Sequence, residues 1–212
     1  MVRQDIKEFL KTIPSDVTVV AATKYVDAED VKVLVNNGIN NIGENRVDSF
    51  LYKYELLKNE PIIWHFIGHL QRNKADKVID KIDYLESLDS LKLAEFIQTH
   101  AEKPLKCFVE VSINLEENKN GVPYFEVSNF IKELKKYTKV QVTGLMMMAI
   151  RDSNESSLDN QFKKLKDLRD NLEKELDIKL PYLSMGMSDD YLEAIKEGAT
   201  HVRLGRILFD LK

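Results

Sequence analysis

The sequence predicts an α/β protein built as a single (β/α)8 TIM barrel, in which eight parallel strands alternate with helices. The first observation is that short β-branched apolar runs alternate with longer amphipathic runs eight times along the 212 residues. Repeated strand–helix units imply parallel pairing with right-handed crossovers, and eight of them can close a barrel. The second observation is that no linker rich in proline, glycine and serine divides the chain, so we expect one domain over residues 1–212. A doubly wound open sheet is the alternative.

Eight segments are predicted as strands because each is apolar or alternating and is too short for a helix. In chain order they are residues 16–23, 40–45, 62–68, 83–88, 105–113, 140–149, 180–186 and 200–205. The first of them, DVTVVAAT, is typical, because it is β-branched and almost free of charge.

Helices are predicted between these strands, where apolar residues recur at helical spacing. They cover residues 27–38, 47–58, 71–82, 90–103, 124–137, 161–176 and 189–198, with a last helical turn from Arg206 and an extra helix at 3–12. The first can begin at Asp27 as its N-cap and end before Gly38. The polar stretch 151–160 is predicted to be a mobile loop on the active face.

Composition narrows the class of protein. A net charge of −4 with scattered lysine and arginine indicates no nucleic-acid partner. No apolar run reaches the length of a membrane span, and the charged N-terminus has no signal-peptide core, so we expect a cytoplasmic protein. The single cysteine, Cys107, allows neither an internal disulfide nor a cysteine metal site, and it is predicted to be a packed core thiol.

Functional groups of such barrels gather at the C-terminal ends of the strands. The first strand leads to Lys24, and alternation of side chains places it on the face shared by Val20 and Ala22, toward the barrel mouth. Two interpretations remain open: a solvated charge, or an inward nucleophile able to form a Schiff base with a carbonyl. Tyr25 would point to the opposite face of the strand.

Other strand ends also carry polar residues. Asn45 ends the second strand, and His65 in the third is interpreted as a hydrogen-bonded core residue. After the seventh strand, Gly186 permits a tight turn close to a ligand. Ser188 precedes a helix, so it is a candidate N-cap and a candidate phosphate ligand, two roles that do not exclude each other.

The eighth strand places Arg203 inward, because Val202 and Leu204 suit the helix-facing side. A buried arginine needs an acceptor, which is either a structural carboxylate or a ligand's ring nitrogen or anion. Gly205 and Arg206 then open a helical turn suited to binding an anion, at the usual phosphate position of these barrels. A ligand with a carbonyl at one end and a phosphate at the other would fit, such as pyridoxal 5'-phosphate (PLP) or a sugar-phosphate aldehyde.

Several motifs together resemble one family. The motifs ATKYV, IGENRV, WHFIGHLQRNK, EENKNGV, GLMMMA and LSMGMSDDYLEAIKEGATHVRLGRILF span residues 22 to 209 and are similar to those of the YggS/PROSC family of PLP homeostasis proteins. The resemblance implies a fold like the N-terminal barrel of bacterial alanine racemase. It also implies that PLP is held covalently on Lys24 as a Schiff base.

The same resemblance implies roles for the other site residues. Ser188, Gly205 and the backbone at Arg206 would bind the phosphate, and Arg203 would face the pyridine nitrogen. Asn45 would lie near the polar edge of the ring, with His65 and Met146 as pocket neighbours. Arg206 stands where many members have a small threonine or serine, so a hydroxyl contact to the phosphate is not expected there.

These features favour a carrier over an enzyme. A cation at the ring nitrogen weakens the use of PLP as an electron sink. In the related racemases a second base comes from a C-terminal domain, which we do not expect here, so no residue is assigned as catalytic. The expected function is reversible PLP binding and supply to apo-enzymes by a monomer. The alternatives are a PLP-dependent amino-acid racemase or lyase, and a cofactor-free Schiff-base aldolase.

Overall fold

The computed structural model describes residues 1–113 and 120–210, and within them eight parallel strands close a barrel. Each strand pairs with the next around the ring, and the last returns to the first through the pair Val20 and Arg203. The predicted barrel is therefore confirmed and the open sheet is wrong. The strands are β1 (Thr18–Ala22), β2 (Asn41–Glu44), β3 (Ile63–Phe66), β4 (Tyr84–Leu88), β5 (Leu105–Ser112), β6 (Val122–Pro123), β7 (Val140–Met146), β8 (Tyr182–Ser184) and β9 (His201–Leu204). Of these, β6 is a two-residue strand that pairs with the end of β5 and is not one of the eight strands that close the ring.

Helices follow the strands around the outside. They are α1 (Ile6–Leu10), α2 (Ala28–Asn36), α3 (Val47–Leu56), α4 (Arg72–Ala75), α5 (Leu91–His100), α6 (Val127–Leu134), α7 (Glu155–Leu176) and α8 (Tyr191–Lys196), with 3-10 turns at Tyr124–Glu126 and Arg206–Leu208. The predicted cap of α2 is confirmed, since Asp27 Oδ1 accepts a hydrogen bond from the N–H of Asp30 at 3.0 Å. No helix in the described part of the chain has the length and apolar character needed to cross a membrane.

The prediction of a loop at 151–160 is wrong for its second half. Helix α7 begins at Glu155, where Asn154 accepts a hydrogen bond from the N–H of Ser157 at 2.9 Å. The stretch is polar because most of this first part of the helix faces water, while Leu158 packs into the core. Two predicted features lie partly outside the described residues: positions 116–119 of the EENKNGV motif and positions 211–212 of the last turn.

The strands separate two layers of buried side chains. The outward layer is apolar and packs under the helices, and it includes the fully buried Cys107, which confirms the predicted core thiol. Burial also raises the pKa of that thiol. The inward layer is largely polar: Ser184 of β8 donates to Glu86 of β4 at 2.5 Å, although these strands do not neighbour each other in the ring. Such a contact must cross the interior of the barrel.

Candidate functional site

A cavity of about 750 Å³ opens at the C-terminal ends of the strands. Its walls come from the loops after β1, β7, β8 and β9, which the fold brings to one end of the barrel. Five of the eight predicted site residues line it: Lys24, Ser188, Arg203, Gly205 and Arg206. These five residues therefore share one cavity at the barrel mouth, and their roles in binding remain predictions.

Lys24 lies two residues beyond β1, in a turn, and its side chain is exposed at the cavity. Its Nζ lies 4.9 Å from the centroid of the Tyr25 ring. The expectation that Tyr25 points to the opposite face is wrong, because Tyr25 lines the same cavity. Alternation of side chains holds along a strand, and both residues lie past the strand's last ladder pair, Ala22 with Gly43.

Ser188 joins the loops after β8 and β9. Its Oγ accepts hydrogen bonds from the N–H groups of Gly205 at 3.2 Å and Ile207 at 3.4 Å. The N-cap interpretation of Ser188 is wrong, because α8 begins at Tyr191 with Asp190 as its N-cap residue. Two neighbouring backbone N–H groups therefore converge on one oxygen at the cavity wall, which is an arrangement suited to an anion.

Gly186 shapes the turn that carries Ser188. Its φ is +91°, in the left-handed region, and a Cβ built there would lie 2.6 Å from the Cβ of Ala194. Both the backbone conformation and the crowding by α8 require glycine, as the predicted tight turn implied. Arg206, in the loop after β9, is exposed, and its side chain pairs with the exposed carboxylate of Asp189 in the loop after β8.

Arg203 points into the barrel and forms part of the cavity floor, with 5% of its surface exposed. Its guanidinium donates to Ser184 Oγ and to the carbonyl of Met147, both at 2.8 Å. Glu86 Oε2 lies 3.9 Å from Nη1. A structural carboxylate is therefore present, and contact with a ligand remains a prediction for the side of Arg203 that faces the cavity.

Glu86 is the centre of the interior network. Its Oε1 lies 2.7 Å from His65 Nδ1, and His65 Nε2 lies 3.0 Å from Asn41 Oδ1. Burial alone raises the pKa of Glu86, but the hydrogen bond and charge of His65, the charge of Arg203 and the bond from Ser184 lower it to about 2. His65 is thus a hydrogen-bonded core residue, as expected, and lies below the cavity wall.

The two remaining predicted residues also lie off the cavity wall. Met146 is buried at the end of β7, with 1% of its surface exposed. Asn45 follows β2, and among the described residues its Oδ1 is a buried oxygen that has no hydrogen-bond partner. The sequence prediction missed Glu86 and Ser184, although a glutamate at the middle of the strand segment YLESL was an available signal.

Two more interior groups have displaced pKa values. Burial lowers the pKa of His201 to about 4, a shift that the negative charge of Glu86 opposes. Burial raises the pKa of Glu110 to about 7, and the charge of Asp89 adds to that rise while Arg203 opposes it. His201 is packed among aromatic rings, with the Tyr182 centroid 4.9 Å away, so it is held as a neutral group.

Comparisons with known proteins agree with this fold. Residues 2–212 match the family described as alanine racemase, N-terminal domain. The pyridoxal phosphate homeostasis protein of Aquifex aeolicus is 44% identical over 195 residues, covering 89% of this chain and 84% of that protein. The protein of the same name from Schizosaccharomyces pombe is 36% identical, covering 92% and 84%.

Solved structures extend the comparison. PipY of Synechococcus elongatus, solved with PLP bound, has a TM-score of 0.89 and 29% identity, covering 96% of this chain and 99% of that one. Alanine racemase of Clostridium difficile has a TM-score of 0.82 at 17% identity and matches over 58% of its length, which is a likeness of fold alone. The architecture is that of an alanine racemase N-terminal barrel. The chain belongs to this family and, within it, to the pyridoxal phosphate homeostasis proteins.

The displaced pKa of His201 predicts a pH-dependent stability. Its ordinary value of 6.5 applies to the unfolded chain, so below pH 6.5 the unfolded state binds the proton first. The contribution of His201 to stability should therefore be lost as pH falls from 6.5 to 4, by about 3 kcal/mol at 1.36 kcal/mol per pKa unit. Urea unfolding across this range should show that wild type loses about this much stability relative to His201→Gln.

His100→Gln is the matched control, because His100 is exposed on α5 and stacks on Phe96. It should keep the wild-type dependence on pH. The raised pKa of Glu110 has the opposite effect on stability, because its contribution is lost as pH rises from 4.5 to 7. This contribution is common to all three proteins, so it cancels when they are compared. Equal slopes in wild type and His201→Gln would contradict the assignment of a buried neutral histidine.

Proposed function

We propose that this protein binds PLP reversibly at the barrel mouth and holds it covalently on Lys24, limiting the free aldehyde and supplying the cofactor to apo-enzymes. The observation that carries the proposal is that the amine of Lys24 and the hydroxyl of Ser188 line one cavity, and that two backbone N–H groups, of Gly205 and Ile207, converge on that hydroxyl. The relatives named pyridoxal phosphate homeostasis proteins and the PLP bound to PipY support it.

The phosphate end of the site would be the loops after β8 and β9. The N–H groups of Gly205 and Ile207 would donate to the phosphate beside the hydroxyl of Ser188. Backbone N–H groups bind an anion without the desolvation cost of a buried cation. Arg206 would contribute through its backbone, since its side chain pairs with Asp189.

The carbonyl end would be Lys24. Its Nζ, when neutral, can add to the aldehyde carbon of PLP and form a C=N bond with loss of one water. The reverse reaction, or exchange with another amine, releases the cofactor. Exposure of Lys24 at the cavity suits such a reversible exchange, because water and amines can reach it.

The ring would lie over Arg203, with Asn45 near its polar edge. The unpartnered Oδ1 of Asn45 is an acceptor suited to the ring hydroxyl. When bound, PLP supplies an aldehyde and an electron-withdrawing ring, and the permanent charge of Arg203 would disfavour a proton on the ring nitrogen. His65 and Met146 would support this arrangement from below as pocket neighbours.

A PLP-dependent amino-acid racemase or lyase is the second candidate. The observation that favours it is that Tyr25 lines the cavity beside Lys24. A racemase needs two bases on opposite faces of the substrate's α-carbon, whereas Tyr25 and Lys24 are adjacent residues of one turn. The carrier therefore remains the function that the site supports better.

The covalent role of Lys24 can be tested directly. Wild-type protein mixed with PLP should develop a near-visible absorbance band that borohydride abolishes, and peptide mass spectrometry should find the reduced adduct on Lys24. Lys24→Ala should lose both the band and the adduct. Lys92→Ala, which removes an exposed lysine of α5, is the control and should retain both.

An adduct that persists on another lysine in Lys24→Ala would contradict the assignment. Production of D-alanine from L-alanine by wild type, lost in Lys24→Ala, would establish the racemase instead of the carrier. A colourless wild-type protein that forms adducts with sugar-phosphate aldehydes would indicate the aldolase.

The phosphate contacts predict a different response for two neighbouring residues. Ser188→Ala should raise the Kd for PLP by about tenfold or more, because a hydrogen bond to a charged group contributes about 1.5–3 kcal/mol. Arg206→Ala should raise the Kd by less than about tenfold, because the exposed Arg206 side chain pairs with Asp189 and an exposed charge interaction contributes only about 0–1 kcal/mol. Equilibrium dialysis measures both values. The reverse order would assign the phosphate to the Arg206 side chain.

A further inference from the structure

A buried ion pair lies next to the site and has no part in the proposed binding so far. Lys53 of α3 and Glu44 of β2 expose 3% and 0% of their surfaces, and Lys53 Nζ lies 2.5 Å from Glu44 Oε1. The free energy needed to remove two charges from water offsets much of the free energy gained from their attraction. Proteins in which a buried ion pair is replaced by apolar residues are therefore often as stable as the original. Stability alone is therefore a weak explanation for this pair.

Two other hydrogen bonds of the pair converge on Thr23. Lys53 Nζ donates to the carbonyl oxygen of Thr23 at 2.6 Å, and Thr23 Oγ1 donates to Glu44 Oε1 at 2.5 Å. Ser49 Oγ donates to the second carboxylate oxygen, Oε2, at 2.9 Å. Both the backbone and the side chain of one residue are thus held by the same buried charges.

Thr23 is the residue between the end of β1 and Lys24. The ladder between β1 and β2 ends at Ala22 with Gly43, and the N–H of Thr23 makes one more bond to the carbonyl of Gly43 at 3.0 Å. The Thr23 carbonyl and the Lys24 N–H belong to one planar peptide unit. Holding that carbonyl therefore fixes the plane from which the Lys24 side chain starts.

We propose that the buried Lys53–Glu44 pair positions Lys24 for its reaction with the PLP aldehyde. The inference rests on the proposed function and names two positioning residues for it, Lys53 and Glu44, which lie outside the cavity wall. Lys24 is exposed and its side chain is long and flexible. A fixed backbone at Lys24 reduces the number of conformations among which its Nζ is distributed, so less conformational entropy is lost when Nζ reaches the reacting position. Binding of the phosphate end, across the cavity, does not depend on the pair.

The double variant Glu44→Gln/Lys53→Met tests the proposal. It removes both charges together, so neither is left buried alone, and it deletes the bond from Lys53 to the Thr23 carbonyl. The rate constant for Schiff-base formation should fall by about tenfold to a hundredfold, because misplacing a reacting group by about 1 Å costs up to about 10². The Kd for pyridoxine 5'-phosphate, which has an alcohol in place of the aldehyde, should change by less than about twofold.

Two further variants separate positioning from stability. Glu29→Gln/Lys32→Met removes an ion pair of the same composition from the surface of α2, where the two side chains lie 2.9 Å apart, and both measurements should stay at wild-type values. Thr23→Val keeps the shape of Thr23 but removes its bond to Glu44, so it should slow Schiff-base formation by itself. In the PLP-free protein, hydrogen exchange of the Thr23 amide should be faster in the Glu44→Gln/Lys53→Met protein.

The outcomes are distinguishable. If wild type forms the adduct on Lys24 and the buried double variant forms it at the same rate, the positioning role is wrong. A parallel loss of affinity for pyridoxine 5'-phosphate would also overturn it, because a general disturbance of the fold would then account for the effect. If wild type forms no adduct on Lys24, the proposed function itself fails.

Discussion

The buried carboxylate of Glu86 is the interaction on which the barrel interior depends. A charge in a closed barrel must be paired, and Glu86 is paired by His65 of β3, Ser184 of β8 and, more distantly, Arg203 of β9. The bond from His65 joins neighbouring strands, whereas the contacts with Ser184 and Arg203 cross the interior and connect β4 to strands that are not its neighbours in the ring. They also hold the guanidinium of Arg203 as the cavity floor. Loss of Glu86 would leave that buried cation without its carboxylate.

Above this floor, the site is divided between two kinds of support. The amine of Lys24 stands on a turn that the buried Lys53–Glu44 pair holds, whereas the convergent N–H groups belong to the loop that follows β9. A rigid strand framework with functional groups on its loops is the usual arrangement in barrels of this type. The proposed binding and release of PLP depend on the exposed lysine at the cavity.

Much of the fold was predictable from local sequence, because strands and helices of a barrel alternate in hydrophobic pattern. The inward direction of Arg203 and the turn at Gly186 also followed from local rules. The errors arose where those rules end. Tyr25 was misplaced because alternation stops with the strand, and Ser188 bonds to residues 205 and 207 instead of capping α8. The hydrogen-bond partners of Glu86 are 21 and 98 residues away, and Lys53 contacts Glu44 and Thr23 at separations of 9 and 30 residues, so none of these pairs has a local spacing that indicates it.

The most direct measurement is a crystal structure of the protein with PLP. If PLP is held on Lys24, continuous electron density should run from Lys24 Nζ to the carbonyl carbon of the cofactor. Phosphate oxygens should lie within hydrogen-bond distance of the N–H groups of Gly205 and Ile207. Density for PLP at another lysine, or a phosphate bound away from these two N–H groups, would contradict the central claim.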